Sequence, residues 1–173
     1  MIGPLDPLTD LFPPGKGGGA GVEYGYKGKG VLIHLVVDAQ GMPLSFSITA
    51  ANGDERQEAI KNIDKINVYS GKPGRPKKSP RKIAADKGYD SKALRSTLRQ
   101  RGIKPEIPRR KYRDKPQLGR PLNKTISRYV VERTFSWFQR KFRRIAVRWE
   151  RLPLCFETFL TLAIVTMWVQ KMV

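Results

Sequence analysis

Residues 82–91 read Lys82-Ile83-Ala84-Ala85-Asp86-Lys87-Gly88-Tyr89-Asp90-Ser91. The first five form a short apolar run ending in an acid, the pattern of a buried strand with a carboxylate at its C-terminal end. Ser91 suits a helix N-cap, and the spacing predicts a helix to about Arg101, with Leu94 and Leu98 inward and Gly102 as its stop. Ile103 to Ile107 predicts a further strand before Pro108. Strand, helix and strand in this order make an α/β unit.

Upstream, Val22 to Thr49 reads as a β-meander. Val31-Leu32-Ile33-His34-Leu35-Val36-Val37 is β-rich, Asp38-Ala39-Gln40-Gly41 is a turn, and Leu44, Phe46 and Ile48 alternate after it. Asp54 to Ile66 predicts an amphipathic helix with Ala59, Ile60 and Ile63 inward. Residues 1–21, rich in Pro and Gly, read as a flexible N-terminal segment, and residues 22–173 as one domain. Gly15 to Gly19 lacks the GK[ST] ending of a phosphate loop. Residues 70–82 form a basic linker; its Gly74-Arg75-Pro76-Lys77 has the shape of a minor-groove hook, though a basic surface loop explains four residues as well. Downstream, Arg109 to Lys124 reads as a basic loop and Ile126 to about Arg148 as one long helix, ended by Pro153. Phe156 to Met172 is a last, apolar helix. Its apolar stretch Phe159 to Val169 is shorter than the roughly 20 residues that span a bilayer.

The 173 residues carry 34 Lys+Arg against 15 Asp+Glu, a net charge of +19. Residues 71–151 alone hold 27 basic and 6 acidic side chains. Such a block repels itself unless a polyanion lies against it, and nucleic acid is the default partner. A single cysteine, Cys155, excludes an internal disulfide framework. A single histidine, His34, excludes a His-rich metal site and reads as a packed or surface strand residue.

Few acids survive in the basic half. Asp86 ends a strand; Glu132 falls at the flank of the apolar stripe of the long helix, near Arg128 and Gln139. Converging carboxylates in a positive groove suit a hard divalent cation and phosphoryl transfer, with two ions about 3.5–4 Å apart. The plainer alternative stands equally open: Asp86 caps the turn Lys87-Gly88-Tyr89, and Glu132 pairs with Arg128 or Arg133.

Three groups of residues together resemble a known family. Ala85-Asp86-Lys87-Gly88-Tyr89-Asp90-Ser91, with Leu94 and Arg101-Gly102-Ile103, resembles the second-Asp segment of bacterial IS4/IS5-type insertion-sequence transposases. Arg128-Tyr129-Val130-Val131-Glu132-Arg133, with Phe138 and Phe142-Arg143-Arg144-Ile145, resembles their R-x-x-x-E signature. Tyr24 to Gly30, Val37-Asp38 and Gly41-Met42-Pro43-Leu44 resemble their early hairpin. The resemblance spans residues 15–170. It implies an α/β, RNase H-like fold, a mixed sheet flanked by helices, carrying a DDE metal site of Asp10, Asp86 and Glu132. It further implies Mg²⁺, with Mn²⁺ as substitute, strand hydrolysis at a transposon end, and transfer of the 3′-hydroxyl to target DNA. Lys87, Arg128, Arg133, Arg140, Lys141, Arg143 and Arg144 would then contact phosphates of double-stranded DNA. A homodimer on DNA in the bacterial cytoplasm, at the nucleoid, completes the expectation, with no membrane partner.

The chain also departs from the family pattern. The first acid normally stands in a D-G-[ST]-F-like segment; here the segment is Leu8-Thr9-Asp10-Leu11-Phe12, with Asp6 as a poorer candidate. Little chain precedes it, so the first strand is expected to be partial or absent. The family's N-terminal DNA-binding domain is missing, and Thr125 stands where a tyrosine is expected. These points imply a shortened copy, or the second frame of an element whose upstream-frame product supplies the rest. Two further functions therefore stand beside transposition: an inactive remnant that only binds DNA, and a structure-selective nuclease on the same fold.

Overall fold

The structure, a computed structural model, describes residues 6–69, 73–109 and 128–172. Six strands and five helices follow in the order β1 (Asp6–Leu11), β2 (Glu23–Gly25), β3 (Gly28–Val37), β4 (Pro43–Ala50), α1 (Glu55–Asp64), β5 (Lys82–Ala85), α2 (Lys92–Gln100), β6 (Lys104–Glu106), α3 (Arg128–Lys141), α4 (Arg143–Ala146) and α5 (Pro153–Met172). A single 3-10 turn, Lys87–Tyr89, joins β5 to α2. Most of the basic stretch read over 109–124, with Thr125 and Ile126, lies outside the described residues.

β3 explains why the sheet forms. Its run Val31 to Val37 is wholly buried, as a central strand covered on both faces must be. Val31, Ile33, Leu35 and Val37 pack with Val131, Phe135 and Phe138 of α3 and Phe156, Leu160, Ala163 and Met167 of α5. Val36, of opposite parity, packs with Leu8, Ile83 and Ala85 of the sheet, Ala59 and Ile63 of α1, and Leu94 and Leu98 of α2. The result is a three-layer α/β/α sandwich. Burying each large apolar side chain contributes about 1.5–3 kcal/mol, so these two clusters hold the layers together.

The strands run antiparallel from β4 to β3 to β1, then parallel from β1 to β5 to β6. β2 adds a short antiparallel pairing to the start of β3. The first strand is therefore neither absent nor marginal. β1 lies at the centre of the sheet between β3 and β5, with Leu8 beside both Val36 and Ala85. Pro7 does not prevent this strand, because it removes only one backbone N–H from the ladder.

Two further differences lie in the glycine-rich segment and in the long helix. Glycines 15–21 read as loose backbone, but the segment is clamped against residues 148–151. Gly15 bridges Arg148, and a Cβ on Gly17 would lie 1.7 Å from the Trp149 carbonyl oxygen. Buried Arg148 donates from Nη2 to the Ala20 oxygen at 2.8 Å and from Nε to the Glu150 oxygen at 3.0 Å. The long helix is broken: α3 ends at Lys141 and α4 restarts after Phe142, whose backbone (φ −126°, ψ 78°) is not helical.

Pro153 opens α5, at the first helical position where its missing N–H costs nothing. At 20 residues α5 extends beyond the apolar stretch 159–169 and is long and apolar enough to cross a bilayer by length and composition. One face of it, Phe156, Leu160, Ala163 and Met167, is core; the opposite face leaves Leu162, Val165 and Val169 exposed.

Candidate active site

Asp10 and Asp86 stand at the same edge of the sheet. β1 and β5 are parallel neighbours with Leu8 beside Ala85, so both acids lie at the C-terminal ends of adjacent strands. This is where open α/β sheets gather their functional groups.

Asp10 is tightly held. Its Oδ1 accepts from His34 Nδ1 at 2.5 Å and from the Tyr89 hydroxyl at 2.5 Å, and its side chain is 10 % exposed. His34, fully buried on β3 opposite Asp10, is in turn 2.8 Å from Thr49 Oγ1 through Nε2. The Thr49 hydroxyl also donates to the Ala50 carbonyl at 3.2 Å. The chain Thr49–His34–Asp10–Tyr89 thus ties β4, β3, β1 and the 3-10 turn into one hydrogen-bonded row. Both protein donors fall on the same carboxylate oxygen, which fixes the orientation of the other.

A further carboxylate joins them. Asp54 caps α1 by accepting from Arg56 N at 3.0 Å, which makes Glu55 its first helical residue. Glu55 is half-buried and near enough to Asp10 for the two carboxyls to act on each other. Burial raises its carboxyl above the ordinary value, and the charge of Asp10 raises it further. Tyr89, also buried, has its hydroxyl pushed well up, first by burial and then by the charges of Asp10, Glu55 and Asp86. Of these three carboxylates, Asp10 accepts the Tyr89 hydroxyl directly.

Asp86 itself is exposed and caps the turn, its Oδ1 accepting from Lys87 N. Lys87 is exposed beside it. Glu132 lies on the solvent side of α3, one residue after buried Val131, and α3 packs against β1. Among the described residues, no three His, Cys, Asp or Glu side chains are gathered closely enough to hold a metal ion. The structure brings Asp10 and Asp86 to one end of the sheet, with Tyr89 bonded to Asp10 and Glu55 opening α1 nearby. The donor chemistry still suits a hard divalent cation, since every group is a carboxylate oxygen.

The basic residues divide. Arg140, Arg143 and Arg144 are exposed, Arg144 pairing with Glu150 at 3.0 Å. Lys141 is exposed and donates to Gln170 Oε1 at 3.1 Å. Arg133 is partly buried: it donates to the Gln40 carbonyl at 2.5 Å and lies over the Trp137 ring at 5.1 Å. Arg133, Trp137 and Lys141 line an open groove of about 630 Å³ with Gln40, Met42 and Lys171. The side chain of Arg128 falls outside what the structure describes.

Sequence reasoning missed His34, Thr49, Tyr89 and Glu55 as members of this site. A histidine in an otherwise apolar strand run, paired across the sheet from an acid, was the one available signal.

Residues 12–168 match the Transposase DDE domain family, and the chain belongs to it. That match begins two residues after Asp10. The chain is 40 % identical over 129 residues to the transposase of insertion sequence element IS402 of Burkholderia cepacia, covering 75 % of this chain and 58 % of that protein. It is 34 % identical over 120 residues to the transposase for insertion sequence element IS1106 of Neisseria meningitidis serogroup B, covering 66 % of this chain and 37 % of that protein. The chain thus spans between about a third and three-fifths of the length of these relatives. A solved piggyBac transposase synaptic complex with hairpin DNA is similar over 67 % of this chain and 25 % of its own, at 15 % identity and a TM-score of 0.47.

Proposed function

We propose that the chain is the catalytic domain of an IS4/IS5-type insertion-sequence transposase, RNase H-like in fold, which cleaves a DNA strand at the element end and joins the freed 3′-hydroxyl to target DNA. The observation that carries this reading is the pair Asp10 and Asp86, side by side at the C-terminal edge of two parallel strands in a chain of the Transposase DDE domain family. Asp10, Asp86 and Glu132 would hold the divalent metal, Mg²⁺ with Mn²⁺ as substitute. When bound, such an ion supplies a nucleophile at neutral pH and neutralises charge on the leaving oxygen.

The chain's own residues do the rest. His34 and Tyr89 hold Asp10 by one oxygen, so the other keeps a fixed direction without entropy lost at the moment of reaction. Lys87, beside Asp86, and the exposed Arg140, Lys141, Arg143 and Arg144, with Arg128 and Arg133, would bind phosphates and set the duplex in register without reading bases. Two copies acting on paired ends, in the bacterial cytoplasm, together with an upstream-frame transposase product, belong to this reading.

One observation favours a second reading, a DNA-binding protein without chemistry: the acids are not gathered into a metal-holding group among the described residues. A single assay separates the two. Supercoiled plasmid is incubated with the chain in Mn²⁺, Mg²⁺ or EDTA, beside Asp86→Asn and Glu132→Gln. The proposal expects nicking that needs metal and is lost at least 100-fold in both variants, with DNA binding retained. Binding without metal-dependent nicking would establish the second reading; nicking that survives both substitutions would sink the first.

A further inference from the structure

We propose that the tip of the β2–β3 hairpin is a binding site for single-stranded DNA, where Tyr24 and Tyr26 stack on unpaired bases and Lys27 and Lys29 meet the adjoining phosphates. The inference goes beyond strand cleavage and joining, and it rests on the reading of the chain as a protein that acts on DNA.

Three observations converge on this hairpin. The first is what it exposes. Tyr26 and Lys27 form a two-residue turn between Gly25 and Gly28, which pair across the strands. Tyr26 is fully exposed and Tyr24 is 75 % exposed, with Lys27 and Lys29 exposed beside them. Lys29 is the ladder partner of Tyr24, and its Nζ lies 5.8 Å from the centre of the Tyr24 ring. The second is how firmly the hairpin is seated. Gly15 N donates to the Lys29 oxygen at 3.0 Å and Val31 N to the Pro13 oxygen at 3.1 Å, so residues 13–15 hold the start of β3 on the edge opposite β2. A Cβ on Gly25 would lie 2.1 Å from the backbone oxygen of Ala51, so β2 rests directly on the end of β4, and Asn52 Nδ2 donates to Glu23 Oε2 at 2.9 Å. The third is where it stands. β3 is antiparallel to β1 with His34 opposite Asp10, so its first residues run out past the C-terminal ends of β1 and β5, beyond the edge that carries Asp10 and Asp86. Gly28 is six residues before His34, which is at most about 20 Å of strand.

A lone exposed tyrosine needs no explanation. Two on one hairpin do, because nothing local asks for them. The positive φ of the turn falls on Gly28, at 113°, and Tyr26 and Lys27 have none. Asn, Asp or Ser would serve the turn positions and expose no ring. Aromatic side chains also anchor protein partners, but the charge here selects a polyanion: residues 24–30 hold two lysines and no acid, in a chain of net charge +19. Rings set among lysines are the means by which proteins hold single strands, since every base has a face to stack on and the ammonium groups follow the backbone. In a duplex those faces are covered by neighbouring bases, so the rings find a partner only where a strand is open, as at a nick or a cut end. The proposed reaction at the acid edge makes such ends within reach of the tip.

The test is fluorescence anisotropy of the full chain in EDTA, where no cleavage occurs, with a labelled thymidine strand of about 15 nucleotides and with a labelled duplex of the same length. The proteins are the parent, Tyr24→Ala, Tyr26→Ala, Tyr26→Phe and the double variant Lys27→Ala, Lys29→Ala, with thermal melts to show that each folds. Each tyrosine-to-alanine change is expected to weaken single-strand binding about tenfold and to leave duplex binding within about twofold. Tyr26→Phe should bind as the parent does, because stacking needs the ring and not the hydroxyl. Removing both lysines should lower the single-strand salt slope by about 1.4. A tyrosine whose removal leaves single-strand binding unchanged is overturned as a stacking residue, and unchanged binding in both overturns the site. Equal losses on strand and duplex, or a loss in Tyr26→Phe as large as in Tyr26→Ala, would show a contact other than base stacking and overturn it as well. If the parent binds neither DNA, the reading of the chain as acting on DNA fails, and this inference with it.

Discussion

His34 carries more of the structure than one imidazole in an apolar strand would suggest. Both ring nitrogens are used, one on Asp10 and one on Thr49, and no surface of it reaches water. His34→Ala would leave a cavity and two orphaned partners, and is expected to cost about 2–4 kcal/mol. His34→Asn keeps a donor near the Nδ1 position and should cost clearly less; urea unfolding of both compares them, and equal losses would mean that packing alone matters. Glu55 gives a pH signature. Burial first and Asp10 second raise its carboxyl above the ordinary 4.5. A raised carboxyl binds its proton more tightly in the folded chain, so its contribution favours folding in acid and is lost as pH rises through the raised value. In EDTA, Glu55→Gln should therefore melt above the parent at pH 7, and the gap should close as pH falls toward 4.5. A gap independent of pH in scanning calorimetry would show that Glu55 does not titrate against Asp10.

At the scale of elements, local signals were strong wherever a helix began at a capping side chain. α1 starts one residue after Asp54, and α2 one residue after Ser91, whose Oγ accepts from Leu94 N at 3.5 Å. Ser91→Ala should cost about 1 kcal/mol, read as a small shift in melting temperature. The long helix broke where periodicity saw none. Phe138, Phe142 and Ile145 keep an apolar rhythm across the break, and Phe142 packs at 6.5 Å and a tilted angle on Phe138. Beyond the break, Arg148 reaches the Ala20 carbonyl and Trp149 meets Gly17. An alanine at Gly17 would set its Cβ against backbone at 1.7 Å, so Gly17→Ala should destabilise by about 1–3 kcal/mol. Thermal unfolding of that variant at the parent's temperature would refute the clamp.

Across the whole molecule, charge and fold are distributed differently. The 27 basic residues of 71–151 follow β4 and α1 in sequence, yet the acid edge is assembled from β1, β5 and α1, on both sides of that boundary. The near-neutral first part supplies Asp10, His34 and Glu55, and the basic part supplies Asp86 and Tyr89. DNA affinity should fall linearly in a log–log plot against salt. Replacing Arg140, Lys141, Arg143 and Arg144 together by alanine should reduce that slope by about 3 to 4 units if each neutralises one phosphate. Fluorescence anisotropy with a labelled duplex measures it, and an unchanged slope would remove these four from the DNA interface.

The amino-acid order by itself determined the parts that rest on short-range chemistry. The β3 run, the Asp38–Gly41 turn, the capped helices and the placing of Asp86 at a strand end were all legible, because propensity, capping and alternation act within a few residues. Those same rules misread β1, whose proline-rich segment becomes a central strand only because β3 and β5 offer it partners on both sides. The company of Asp10 was likewise a tertiary matter. His34 lies 24 residues away, Glu55 45 and Tyr89 79, and only the antiparallel and parallel pairings of β1, with α1 docked over the turn, bring them to one carboxylate. Strand pairing and helix docking are set by the burial of two apolar layers over the entire chain, and no local pattern encodes that.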